Sequence, residues 1–169
     1  MDACSLRISQ QVFHDLVAEV ARGMAGRPLD ADLQDWLNTH YGAQTPHYAA
    51  LRQACATGVD QGWLCSRENG GIRWGRVHEA SEALGGFSVD VVEMDGAADR
   101  GIAGPHHSHP LGEVDLILPL DEGALFDGHG AGWCVYGPGS AHSPTVSEGA
   151  ARVLYLLPQG QIQFTRRAA

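Results

Sequence analysis

Gly104-Pro105-His106-His107-Ser108-His109-Pro110-Leu111-Gly112-Glu113 is the stretch that decides how this chain reads. About 30 residues later comes Gly137-Pro138-Gly139-Ser140-Ala141-His142. Residues at i and i+2 of a strand share one face. His107 and His109 therefore point together, while His106 and Ser108 face the other side. Glu113, beyond a Pro-Leu-Gly turn, can swing back to the same point, and His142 brings a third imidazole from a later strand. Three imidazoles and one carboxylate form a cage for a catalytic divalent metal such as Fe, Mn, Ni or Zn. Such a cage leaves room for water or substrate, and its metal could polarise an oxygen or lower the pKa of bound water.

The rest of the composition narrows the setting. With 169 residues the chain has enough length for one domain with a real core. Its 20 acidic and 11 basic residues give a formal charge of −9. That balance argues against nucleic-acid and anionic-membrane partners, and it makes any arginine near a pocket notable. Cys4, Cys55, Cys65 and Cys134 form no CxxC pair, so a structural zinc site is not expected. No basic leader followed by a long apolar run is present, and the chain reads as cytoplasmic with reduced thiols.

Residues 1–58 read as a helical segment, packed on the remainder, 59–169, within one compact domain. Helical periodicity covers 9–25, with Ser9 as a plausible cap, then 30–41 starting near Asp30, then a stretch from Thr45-Pro46 to about Ala56. These helices would serve packing or dimerisation, or act as a wall over a pocket. Past Gly58 the pattern changes to short β-type runs: Gly62–Cys65, Ile72–His78, Phe87–Met94, Glu113–Leu120, Trp133–Tyr136, Arg152–Leu157 and Ile162–Thr165. Turns rich in Gly, Pro and Asp separate them, among them Asp127-Gly128-His129-Gly130. Many short strands argue a mainly β sandwich or barrel. No GxGxxG or GxxxxGK[ST] motif occurs.

The two histidine segments resemble the signature motifs of the cupin superfamily. His107, His109 and Glu113 match the first motif, and Gly139 and His142 match the second. Gly137 stands where the family often has proline, and Val146 where asparagine is common. The resemblance implies a cupin-type jelly-roll β-barrel with all four ligands pointing inward. A closer resemblance, to bacterial 4-hydroxylaminobenzoate lyases, rests on the Gly71–Val77, Gly104–His107, Gly112–Ile117, Ala131–Tyr136 and Val153–Pro158 stretches. It implies conversion of 4-hydroxylaminobenzoate and water to protocatechuate and ammonium, with a divalent metal, Fe(II) or Mn(II) foremost, as Lewis acid. Pairing of edge strands, common in such barrels, implies a homodimer.

A small aromatic carboxylate needs an anchor. Arg73 and Arg76 flank Trp74 on one strand, and an ideal strand sends them to opposite faces, so at most one enters the pocket. Arg76 is favoured by family resemblance, and Arg152 is a third candidate. Trp74, Trp133, Tyr136 and Tyr155 could form a wall for the ring. The Tyr136 hydroxyl could donate to an oxygen, and His78, sharing the parity of Trp74 and Arg76, could carry a proton. Two other readings use the same ligands: a metal-dependent dioxygenase acting on an aromatic acid, and a non-enzymatic barrel that binds a small ligand.

Overall fold

The computed structural model describes residues 2–97 and 101–165. Three helices open the chain: α1 (Ala3–Met24), α2 (Ala31–Tyr41) and α3 (Pro46–Asp60). Asp30 and Thr45 cap α2 and α3 as the sequence suggests, with side-chain oxygens accepting from Leu33 N and Tyr48 N. The first helix starts earlier than expected. Its cap is Asp2, whose Oδ1 accepts from Ser5 N at 2.7 Å, and Ser9 instead donates its hydroxyl to Leu6 O inside the helix.

Twelve strands follow: β1 (Arg67–Asn69), β2 (Ile72–His78), β3 (Phe87–Asp95), β4 (Ile102–Ala103), β5 (His107–His109), β6 (Glu113–Pro119), β7 (Leu125–Phe126), β8 (Gly132–Tyr136), β9 (Ser140–His142), β10 (Thr145–Ser147), β11 (Ala150–Pro158) and β12 (Gln163–Phe164). Gly62–Cys65 is not among them. Gly62 and Cys65 take positive φ (78° and 52°), which bends the segment beneath the end of α3 and buries Leu64.

One six-stranded sheet, ordered β1-β2-β3-β11-β6-β8, forms the middle layer. Its central strands are buried on both faces, which explains the apolar runs Leu116–Leu118 in β6 and Val153–Leu157 in β11. One face carries Val89, Val91, Leu116, Leu154 and Leu156 against Phe13, Val17, Leu37 and Leu51 of the helices. The other carries Met94, Ile117, Val153 and Tyr155 against Phe126 and Val146 of the opposite layer. That layer consists of two three-stranded sheets, β4-β10-β7 and β12-β5-β9.

The expected jelly-roll barrel is therefore corrected: the sheets are open. A barrel needs a continuous ladder joining its first and last strands. Here the six-stranded ladder ends at β1 and β8, and neither pairs with the opposite layer among the described residues. The opposing strands are two or three residues long, with Pro105, Pro110, Pro138 and Pro144 between or beside them. Proline has no N–H to extend a ladder. The β8 edge is satisfied by α2 instead. Asn38 donates to Trp133 O at 2.9 Å and accepts from Trp133 N at 2.8 Å, while Gln34 accepts from Val135 N at 2.9 Å. A helix thus covers the edge that closure would have used.

Candidate metal centre

His107 and His109 alternate with Ser108 along β5, so both rings turn toward the six-stranded sheet. His142 lies directly opposite His107 on β9, and Glu113 opens β6 across the gap. Gly112, at φ 93°, makes the sharp turn that brings Glu113 back. A side chain there would also strike Tyr136 O, 2.7 Å from the Cβ position. One ligand atom from each of His107, His109, Glu113 and His142 lies within 4.8 Å of the others. His106 faces away, half-buried, with Nδ1 against Thr165 Oγ1.

The protonation pattern fits a metal. His107 Nδ1 contacts Pro105 O at 3.1 Å, and a carbonyl only accepts, so Nδ1 carries the hydrogen and Nε2 presents a lone pair. Ser140 gives its hydroxyl hydrogen to Gly137 O and accepts from His109 Nδ1 at 2.9 Å. Asp127 Oδ2 accepts from His142 Nδ1 at 2.6 Å. Each ring is thus held by its outer nitrogen with Nε2 aimed at a common point. His109 Nε2 and Glu113 Oε2, both buried, are 3.1 Å apart yet make no hydrogen bond. Close but misaligned donor atoms are what a shared cation requires, so these four side chains fit a divalent metal.

Charge reinforces the arrangement. Burial pushes Glu113 up, but the close imidazoles of His109 and His142 outweigh it and hold the carboxyl down to about 2. Burial likewise opposes charge on His142, but its hydrogen bond to Asp127 and the nearby Glu113 carboxylate carry it up to about 9. His107 is lowered, chiefly by burial. Asp115, two residues beyond Glu113 on the same strand face, is fully buried with neither oxygen bonded. Burial first, then the Glu113 charge, raise its carboxyl well above the usual range.

A cavity of about 670 Å³ opens beside these ligands, with His107 and Glu113 in its wall. Trp74, Tyr155 and Phe164 also line it. Phe164 is 68% exposed and sits edge-on to His107 at 5.8 Å between ring centroids. Arg76 lines it too, with Nε on Asp90 at 3.2 and 3.3 Å and Nη1 on Glu79 at 3.2 Å.

The other candidates lie elsewhere. Arg73 and Arg152 both pair with Glu93, at 3.6 and 2.9 Å, and take no part in the cavity wall. Trp133 packs in the helical-face core and donates Nε1–H to Tyr41 O. His78 rests on Phe13 and His14, and burial lowers it. Tyr136 stands beside His109 and His142 but commits its hydroxyl to Asp127 Oδ2 at 2.6 Å.

Asp127 is the principal residue the sequence reading passed over. It takes three hydrogen bonds, from His142, Tyr136 and Thr145 N, which together outweigh burial and lower its carboxyl. Its turn-forming context hid it, because an Asp before Gly is expected at a turn. Asp115 carried a clearer signal, as a charged residue inside the apolar run of β6.

A largely buried three-histidine, one-glutamate cluster on paired strands, in the His-x-His, Glu and Gly-x-x-His pattern, defines a divalent-metal-binding member of the cupin superfamily. Comparison with known proteins narrows this. The chain belongs to the 4-hydroxylaminobenzoate lyase family, PnbB, whose family model matches residues 15–164. It is 35% identical over 151 residues to the 4-hydroxylaminobenzoate lyase of Pseudomonas putida, covering 82% of this chain and 86% of that one. A lyase of the same description from Nocardioides sp. (strain LMS-CY) is 35% identical over 147 residues, covering 83% and 86%. Among solved structures, the DMSP lyase DddQ from Ruegeria pomeroyi DSS-3 is a weak likeness: 20% identity, 94% of each chain and a TM-score of 0.40.

Proposed function

We propose that this chain converts 4-hydroxylaminobenzoate and water to protocatechuate and ammonium at the cavity bounded by His107 and Glu113. The carrying observation is a buried ligand set opening onto an aromatic-lined cavity, in a chain of this family. His107, His109, Glu113 and His142 hold the metal. Imidazole and carboxylate ligands suit Fe(II) or Mn(II), and Ni or Zn also accept them. When bound, the metal supplies a Lewis acid for the hydroxylamine oxygen.

The reaction balances without an outside oxidant. Heterolysis of the N–O bond sends its electron pair to oxygen, which leaves as water after taking a proton. The ring is left two electrons poorer. Water adds at the carbon beside the C–N carbon and loses a proton, giving a hydroxycyclohexadiene ring with an exocyclic C=N–H imine. A second water hydrolyses that imine, ammonia leaves, and loss of the ring proton restores aromaticity as a catechol. Two waters enter and one departs. Trp74, Tyr155 and Phe164 surround the ring, limit bulk water around it, and hold its plane beside the ligands. Asp127, Ser140 and Pro105 O hold the three imidazoles in the tautomer that keeps each Nε2 directed inward.

The source of the two ring oxygens tests this route. Turnover in H₂¹⁸O is expected to give protocatechuate labelled at both hydroxyls, read by mass spectrometry. Label from ¹⁸O₂ in place of water would contradict the lyase and favour the dioxygenase reading.

A further inference from the structure

We infer that Arg67 is the residue that grips the carboxylate of the substrate, an inference that rests on the lyase reading above. The chain has no lysine, so every side-chain cation apart from histidine is an arginine. Among the described residues two arginines line the cavity, Arg67 and Arg76. The Arg76 guanidinium is already engaged by Asp90, Glu79 and Gly160 O. One cation between two carboxylates leaves that corner negative, which repels an anionic substrate. Its donors are also taken, so a bidentate grip on a new carboxylate would first break these bonds.

Arg67 differs on both counts. Among the described residues its guanidinium makes no ion pair and no hydrogen bond, leaving its fork of donors free. It lies opposite Trp74 in the β1–β2 register, so the two side chains share the cavity face. In an acidic chain this is a local positive point on the cavity wall.

The shape of the substrate matches the placement. Its carboxylate and N-hydroxyl sit at opposite ends of a para-substituted ring. With the N–O end at His107 and Glu113, the carboxylate points away from the ligands. β1 stands four places from β6 in the sheet order, ~19 Å along the sheet at the usual strand spacing. A long arginine side chain, the ring and the metal ligands in series span such a gap. Trp74 lies in the wall between the two ends.

The test compares wild type, Arg67→Gln and Arg67→Lys, all metal-loaded. For 4-hydroxylaminobenzoate, Arg67→Gln is expected to raise KM about 10- to 100-fold, the range for a lost charge-assisted pair of hydrogen bonds, with kcat far less affected. Arg67→Lys restores part of the loss, and neutral phenylhydroxylamine shows no such penalty. Calorimetric binding of 4-hydroxybenzoate, which needs no turnover, should weaken in parallel in Arg67→Gln. An unchanged KM, or equal 4-hydroxybenzoate affinity in wild type and Arg67→Gln, overturns the assignment. The two readings fail separately. A wild type that turns over the hydroxylamine with no Arg67 effect keeps the lyase and loses the anchor. A wild type that binds 4-hydroxybenzoate through Arg67 without turnover keeps the anchor and loses the lyase.

Discussion

Glu113→Gln is expected to lose the metal and, with it, turnover by on the order of a thousandfold or more. The side chain is 1% exposed and is the sole carboxylate among the four gathered ligands. Glutamine keeps the shape but removes the negative charge that three imidazoles and a dication require. It also presents an N–H₂ that cannot ligate. The neighbouring imidazoles hold the Glu113 carboxyl below the usual carboxylate range, so the charge being removed is present at neutral pH. Metal content by elemental analysis and kcat should fall together, while a far-ultraviolet circular dichroism spectrum stays native. His109→Ala provides an independent check on the same cluster. A metal-free Glu113→Gln or His109→Ala protein with full activity would remove the metal from the mechanism.

Asp127→Asn has the second largest expected effect and acts through His142. Asp127 Oδ2 takes hydrogens from both His142 Nδ1 and Tyr136, and Oδ1 takes one from Thr145 N. Asparagine retains one accepting oxygen, and its amide must present hydrogens where one of these donors arrives. The backbone is not the difficulty: Asp127 has φ 48°, a conformation asparagine also tolerates. The expected result is a 10- to 100-fold loss of metal affinity, the usual order for removing the partner of a ligating imidazole. Metal titration followed by kcat at saturating metal separates the cases. Activity restored by excess metal identifies Asp127 as a positioning residue, whereas wild-type affinity would show that His142 does not depend on it.

Much of the site was legible because it follows a period of two. His107 and His109 share a strand face with Ser108 turned away, and Glu113 returns through a Pro-Leu-Gly turn that Gly112 makes possible. The long strands were legible for a related reason. β6 and β11 bury both faces and read as largely apolar runs, and β3 alternates Phe87, Val89 and Val91 with Ser88 and Asp90. Strands of two or three residues, such as β4, β7 and β10, carry too few positions to show any period. The Gly62–Cys65 run looks like a strand by composition, but its two positive φ values lie outside what the side chains alone reveal.

Closure was misjudged because it depends on which strand edges meet. Nothing local to Trp133 or Val135 announces that Asn38 and Gln34 of α2 will take their backbone groups. The arginines show the same limit. Parity correctly separates Arg73 from Arg76, which pair on opposite faces with Glu93 and Asp90. Those partners come from β3, across a register that the sequence does not display. Arg67, in the short polar strand β1, had no apolar context to mark it as part of a wall.

The most direct measurement is anaerobic incubation of metal-analysed protein with 4-hydroxylaminobenzoate, following both products. The account predicts protocatechuate and ammonium in equal amounts, at a rate unaffected by removing oxygen. Protocatechuate that appears only when oxygen is admitted, or no product from fully metal-loaded protein, would contradict it.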